Sequence, residues 1–244
     1  MRALTTGELL HFWENGLSRN PVDRALSLLA LACPESSTEA LAKLTLGQRD
    51  GRLLTLREWT FGQRLESLVT CPQCSQRVEL NFDAAEVRTS SEVPVAETIV
   101  MSLDGYQLSV RVPNSEDVAA LKMEALVEQK RQTLFKRCLI HASLNGQMVL
   151  PDQLPAETLE IVAGRLAEAD PQADIELNVC CPFCGKSWDV AFDIMSFFWN
   201  EIEAWACRVL HEVHTLAGAY GWSERDVLGL SATRRQMYLE MVSA

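Results

Sequence analysis

The residues with the clearest chemical potential lie in two near-identical stretches, CPQCSQRVELNFD at 71–83 and CPFCGKSWDVAFD at 181–193. Aligned without a gap, they share both cysteines, the proline, an apolar tenth residue and the closing Phe-Asp. A Cys-x-x-Cys turn presents two thiolates to one metal, and two such knuckles supply the four sulfurs of a closed tetrahedral zinc site. Cys71, Cys74, Cys181 and Cys184 are the candidate ligands, and a structural Zn2+ is the expected ion. Strand-like sequence brackets each knuckle, at 65–70 and 78–82 and again at 175–180 and 188–192. This is the layout of a zinc ribbon.

The two halves stand unusually far apart, since the whole of 75–180 separates knuckles that ordinarily lie roughly 15–20 residues from one another. Loop-closure entropy grows only logarithmically, so a floppy insert of this length costs roughly 1.5 kcal/mol extra. Structural zinc in small fingers contributes an apparent 10 kcal/mol or about that. The ribbon can therefore be split. A thioredoxin-like redox pair fits less well, because both copies run into strand-like rather than helical sequence. A disulfide framework requires an oxidising compartment, and the opening MRALTTGELLHFWENG does not read as a signal peptide, so none is expected. Cys180 adjoins Cys181, so the choice between them rests on the repeat alignment, and a ribbon that had lost its metal would read the same way.

Composition narrows the setting. The chain has 244 residues, is 48% hydrophobic and carries a formal charge of −11, enough for a sizeable core in one body or two small domains. That acidity opposes general nucleic-acid binding, which needs a basic face. No apolar run reaches the roughly 18–20 residues that span a bilayer, so a protein made and kept in the cytoplasm is expected, unless a larger assembly exports it. Of the eight cysteines, Cys33, Cys138 and Cys207 fall in helical patterns and read as small core residues.

The elements that must position the knuckles follow in order. Residues 1–63 read as helical, with Thr6 capping a first helix, Pro21 opening a second, Ser37 or Thr38 capping a third and Gly62 ending a fourth. Segments 64–84 and 171–194 are the two ribbon halves. The insert, 85–170, opens with runs at 97–103 and 106–112 flanking Asp104-Gly105, a strong hairpin signal. A long helix over 116–142 and another over 156–170 are expected after it. Residues 195–244 form the C-terminal part, with a helix over 196–220 whose stripe is Phe198, Ile202, Trp205, Val209, Val213, Leu216 and Tyr220. Ser223 with Asp226, then Ser231, mark two short terminal helices. The expected fold class is α+β, mostly helical, with a small split ribbon and an inserted hairpin plus helices.

Catalytic signatures are missing: there is no phosphate-binding Gly-rich loop and no nucleophile elbow. HEVH at 211–214 imitates a metalloprotease motif, but its histidines are three apart and lie about 140–200° from the apolar stripe, on the solvent side. A closed four-sulfur site also leaves no coordination position for a water. A non-enzymatic protein without a small-molecule substrate is expected. Trp199 lies off the main stripe; core burial is favoured for it over a partner surface.

Taken together, GQRDGRLLTLREWTFG, CPQC, VRVPNSEDV and the run from ADIELNVCCPFCGKSWDVAFD to the end resemble a family of phage baseplate-like proteins. Its members belong to contractile-tail phages and contractile injection systems and are related to the T-even-type baseplate hub subunit. The resemblance implies a structural or assembly role among other baseplate, hub or tail proteins, through protein–protein contacts. The alternative from another class is a zinc-ribbon nucleic-acid or transcription-associated adaptor, which needs a basic face by the knuckles. Arg64, Arg77 and Lys186 are the nearby cations, against Glu66, Glu79, Asp83, Asp189 and Asp193.

Overall fold

The computed structural model describes residues 1–89, 98–121 and 126–243. The N-terminal part is four helices: α1 (Thr6–Gly16), α2 (Pro21–Ala32), α3 (Thr38–Ala42) and α4 (Leu46–Phe61). Local chemistry sets their starts. Thr5 and Glu8 form a capping box on α1, Asn20 caps α2 with Pro21 at its first position, Ser37 caps α3, and Thr45 pairs with Gln48 on α4. The α1 cap is thus Thr5 rather than Thr6: it is Thr5 that is extended, with its side chain accepting from the Glu8 N–H.

The chain then forms the hairpin β1 (Arg64–Thr70) and β2 (Arg77–Asp83), and later its counterpart β7 (Glu176–Cys180) and β8 (Ser187–Ala191). Between them lies a sheet in the order β3 (Ile99–Leu103), β4 (Tyr106–Val110), β5 (Leu139–Leu144) and β6 (Gln147–Met148). The helices α5 (Ser115–Ala120), α6 (Val127–Cys138) and α7 (Ala156–Ala169) accompany it. Leu108, Val110, Phe135, Ala142, Leu154 and Val162 give this inserted segment its own core. The chain closes with α8 (Ile194–Tyr220), α9 (Glu224–Leu228) and α10 (Ala232–Ser243). Helices and small antiparallel sheets together make the fold α+β.

One sequence expectation fails here. Instead of a helix over 116–142 there are two helices, and the backbone turns extended at Leu139 to make β5. Residues 122–125, inside the expected helix, lie outside the described residues, as does Glu97, the first residue of the run at 97–103. The overlooked signal is Asn145-Gly146, whose φ angles of 50° and 84° make the mirror-image turn that hairpins prefer. Leu139 therefore joins the sheet rather than a helical stripe.

The long helix α8 organises the rest. Its first half packs Met195, Phe198 and Ile202 against Phe12, Leu28, Leu53 and Leu56 of α1, α2 and α4. Its second half packs Val209, Val213 and Leu216 with Val227 of α9. Gly221 ends it in the left-handed conformation, at φ 70°. Trp199 is buried, edge-on to Phe12 and beneath the Arg24 guanidinium at 3.7 Å. Cys33 and Cys138 are buried as expected; Cys207 is exposed, because it points away from the stripe through Ala206 and Val209.

Buried polar anchors tie these parts together. Arg57 of α4, 2% exposed, donates to both oxygens of Glu201 on α8 at 2.8 and 2.5 Å, and to the Gly62 carbonyl. The Gly47 N–H donates to Asp170 Oδ2 at 2.9 Å, so close that a Cβ on Gly47 would meet Asp170 at 2.1 Å. Gln172 accepts from the Thr89 N–H and donates to the Val87 carbonyl. Inside the inserted segment, fully buried Asp117 accepts from Arg111 at 2.6 and 2.9 Å, from Arg137 at 2.9 Å and from the Asn114 N–H. Burial by itself would raise the Asp117 carboxyl; the Arg111 guanidinium, the Asn114 N–H and Arg137 outweigh it and hold the group below the usual carboxylate range.

Asp117→Ala strands two arginines and removes the α5 capping box, so a loss of about 2–4 kcal/mol in urea unfolding at neutral pH is expected. Because the folded value is depressed, this stability is complete above pH about 4 and disappears as pH falls through the lowered value. The variant should lose that segment of the acid-unfolding profile.

Candidate metal centre

The two repeats fold alike. In each, the Cys N–H that opens the knuckle donates across the hairpin, Cys71 to the Gln76 carbonyl at 2.9 Å and Cys181 to the Lys186 carbonyl at 2.8 Å. The fifth residue then donates back, Ser75 to the Cys71 carbonyl at 3.0 Å and Gly185 to the Cys181 carbonyl at 2.9 Å. Both of those residues are left-handed, with φ of 58° for Ser75 and 75° for Gly185. One backbone turn is thus built twice from different side chains.

Alternation in the strands turns the two hairpins toward one another. Val69, Val78 and Leu80 of the first pack with Leu177, Val179, Trp188 and Val190 of the second, around Cys71 and Cys181. Glu66, Glu79, Glu176 and Asp189 alternate to the exposed side. At the other end, Leu65, Phe82, Ile175 and Phe192 join the main helical core, where Phe82 and Phe192 meet edge to face at 5.7 Å. The knuckles are thereby held above a packed base.

All four candidate sulfurs converge. The Sγ atoms of Cys71, Cys74, Cys181 and Cys184 lie within 4.8 Å of one another. The separations across the two knuckles are 3.7 Å for Cys71–Cys184 and 3.6 Å for Cys74–Cys181. A tetrahedral Zn–S4 site with 2.3 Å bonds has sulfur–sulfur edges of about 3.8 Å. The donor set therefore fits a tetrahedral thiophilic ion. Cys181 turns inward with the other three, and Cys180 faces out, its Sγ 3.9 Å from the Gly185 carbonyl.

Backbone amides complete the donor environment. Burial raises the Cys71 thiol, but the Cys74 and Gln73 N–H groups and the neighbouring Cys74 and Cys184 sulfurs bring it down to about 6. The Gln76 N–H, and the Cys184 sulfur, favour the Cys74 thiolate, and the Lys186 N–H that of Cys184; burial with the Cys181 and Cys71 sulfurs nevertheless raises Cys74, and burial with the other three sulfurs raises Cys184 to about 12. One thiolate forms readily and its negative charge then disfavours the next. A bound cation removes that repulsion and lets four thiolates coexist. Gln73, Gln76 and Lys186 act here only through their backbone, so no side-chain pattern marks them.

Residues 18–199 match the model of the T4 bacteriophage base plate protein family. The chain belongs to that family. The matched stretch contains both knuckles, the inserted segment and the start of α8, whereas α1 up to Gly16, α9 and α10 lie outside it. No curated protein and no solved structure matches the chain. Base plate proteins are structural parts of a phage tail, and the metal-capable cluster sits inside the part this chain shares with them. Among the described residues no helix is long and apolar enough to cross a membrane. His211 and His214 are exposed on α8 and, among the described residues, belong to no cluster of three or more candidate metal ligands.

The repeat supplies its own control experiment. Ser75→Gly relieves a non-glycine residue from the left-handed region and should stabilise the protein by up to about 1 kcal/mol, while Gly185→Ser should cost a similar amount. Paired thermal melts of the two variants measure this difference.

Proposed function

We propose that this protein is a zinc-stabilised, non-enzymatic structural or assembly component of a contractile tail-like machine, acting in its base plate or hub through contacts with other tail proteins. The observation that carries the proposal is base plate family membership over a stretch that includes both halves of the cysteine cluster. In this reading Cys71, Cys74, Cys181 and Cys184 are the ligands of one structural Zn2+. They clip together the two ends of the inserted segment, 85–170, so that helices on either side of it are held on one platform.

The donor set supports zinc over a hard cation: four sulfurs and no carboxylate oxygen suit a thiophilic, redox-inert ion. With four protein ligands there is no open position for a water, which accords with a structural rather than a catalytic ion. The charges on the ribbon favour this reading over nucleic-acid binding. Arg64, Arg77 and Lys186 are outnumbered by Glu66, Glu79, Asp83, Glu176 and Asp189 on the two hairpins.

Elemental analysis of protein purified without added metal should find about one zinc per chain, with chelation lowering the melting temperature. Cys74→Ser should lose the metal and several kcal/mol of stability, since structural zinc sites contribute on the order of 10 kcal/mol. A deletion should yield no functional particles; assembly of normal, active particles without this chain would refute the structural role.

A further inference from the structure

Sheets in natural proteins protect their edges with charge, proline, bulges or short strands. This chain does so in most places. Strands β1 and β2 carry Arg64, Glu66, Arg77, Glu79 and Asp83, and β7 and β8 carry Glu176 and Asp189. In the inserted sheet, β6 is only two residues long and Pro151 follows closely. Strand β3, at the opposite edge of that sheet, has none of these devices. Its sequence is Ile-Val-Met-Ser-Leu, with no charge, no proline and no register shift against β4.

The turn fixes which of its backbone groups face outward. Asp104 and Gly105, with φ of 48° and 86°, close a two-residue hairpin flanked by Leu103 and Tyr106. In such a hairpin the flanking pair exchanges both ladder bonds, and every second pair does likewise. Leu103, Met101 and Ile99 therefore bond inward to Tyr106, Leu108 and Val110. The N–H and C=O groups of Ser102 and Val100 point to the free edge. Among the described residues no backbone group bonds to them outside the strand. Val100 is also 72% exposed, although its partner Ser109 on β4, and His141 paired to Ser109 on β5, are polar.

We propose that β3 is a docking edge that receives an extended segment of another base plate protein as an additional strand, bonded to Val100 and Ser102. This rests on the base plate role proposed above. An uncharged segment with an apolar residue beside Val100, and the next one over Met101, fits the edge. A second copy of the chain fits less well. A strand of this length, about 17 Å, covers on the order of 200 Å², against roughly 800 Å² per partner in a stable dimer, and each copy carries −11. A partner strand gains its affinity from main-chain bonds at the edge and from alternate side chains over the sheet.

Residue-resolved hydrogen exchange, on the isolated chain and on purified particles, tests this. In the isolated chain the Val100 and Ser102 amides should exchange fast and those of Met101 and Leu103 slowly. In particles, the Val100 and Ser102 amides should slow at least 100-fold. Particles that contain the chain with both amides still fast overturn the docking edge alone; particles that lack the chain overturn a retained place in the base plate and the edge together. Val100→Pro removes only an outward N–H, so it should keep the wild-type fold by circular dichroism and lower incorporation at least tenfold. Ser102→Lys retains the N–H, adds a charge at the edge and should lower incorporation by a similar factor. Incorporation of either folded variant at the wild-type level overturns the proposal.

Discussion

Four sulfur atoms within 4.8 Å of one another, drawn from two ends of a long insertion, set the geometry that the other elements must satisfy. Thiolates brought this close repel each other, so the hairpins beneath them have to be held by other means. They are: alternate apolar residues of β1–β2 and β7–β8 face one another, and aromatic residues at their base enter the helical core. The same packing fixes where the chain leaves for the inserted segment and where it returns.

Around that constraint, a few buried charges act as directional joints. Apolar contacts alone would tolerate small rotations of α4 against α8, but a guanidinium that meets both oxygens of one carboxylate does not. Arg57 with Glu201 fixes that crossing, and Asp170 on the Gly47 N–H fixes the return of the inserted segment onto α4. Arg235, also buried, donates to Glu212 at 2.8 Å and to the Leu230 carbonyl, which holds the C-terminal helix on α8. Tyr220 and Trp222 stack on one another, and Tyr238 of the same C-terminal helix meets both edge-on. Each such pair is useful for orientation more than for net stability, because desolvation offsets much of the Coulomb gain.

A base plate component works through its surface, and the division of labour within this chain suits that. Its two helical cores are buried and Cys71 and Cys181 are buried with the ribbon's own apolar residues, while the inserted segment has a core of its own and carries the open strand edge. A segment with an independent core can present an edge without disturbing the helical body behind it. The Asp170 and Gln172 contacts keep that presentation fixed.

The sequence by itself determined whatever depends on local covalent chemistry. The Cys-Pro-x-Cys repeat, the Asp104-Gly105 turn, the Ser223–Asp226 capping box and the buried stripe of α8 through Phe198, Ile202, Val209, Val213 and Leu216 each follow from local spacing, so they were legible in order, whereas Trp205 is half-buried and Tyr220 at the end of the expected stripe is exposed. The α+β class followed from them. Tertiary structure decided the rest. Leu139 is compatible with helix and strand alike; the Asn145-Gly146 turn marks only the far end of β5, and it is the pairing with Val110 of β4 that made Leu139 a strand residue. Trp199 looks like an off-stripe residue on an isolated helix, and only the arrival of Phe12 and Arg24 buries it. Cys180 and Cys181 are chemically equal neighbours; the two-residue period of β7, acting against the facing hairpin, sent one to solvent and the other to the cluster. Sequence specifies periods and turns, and it takes the packed partner to choose between states of nearly equal local energy.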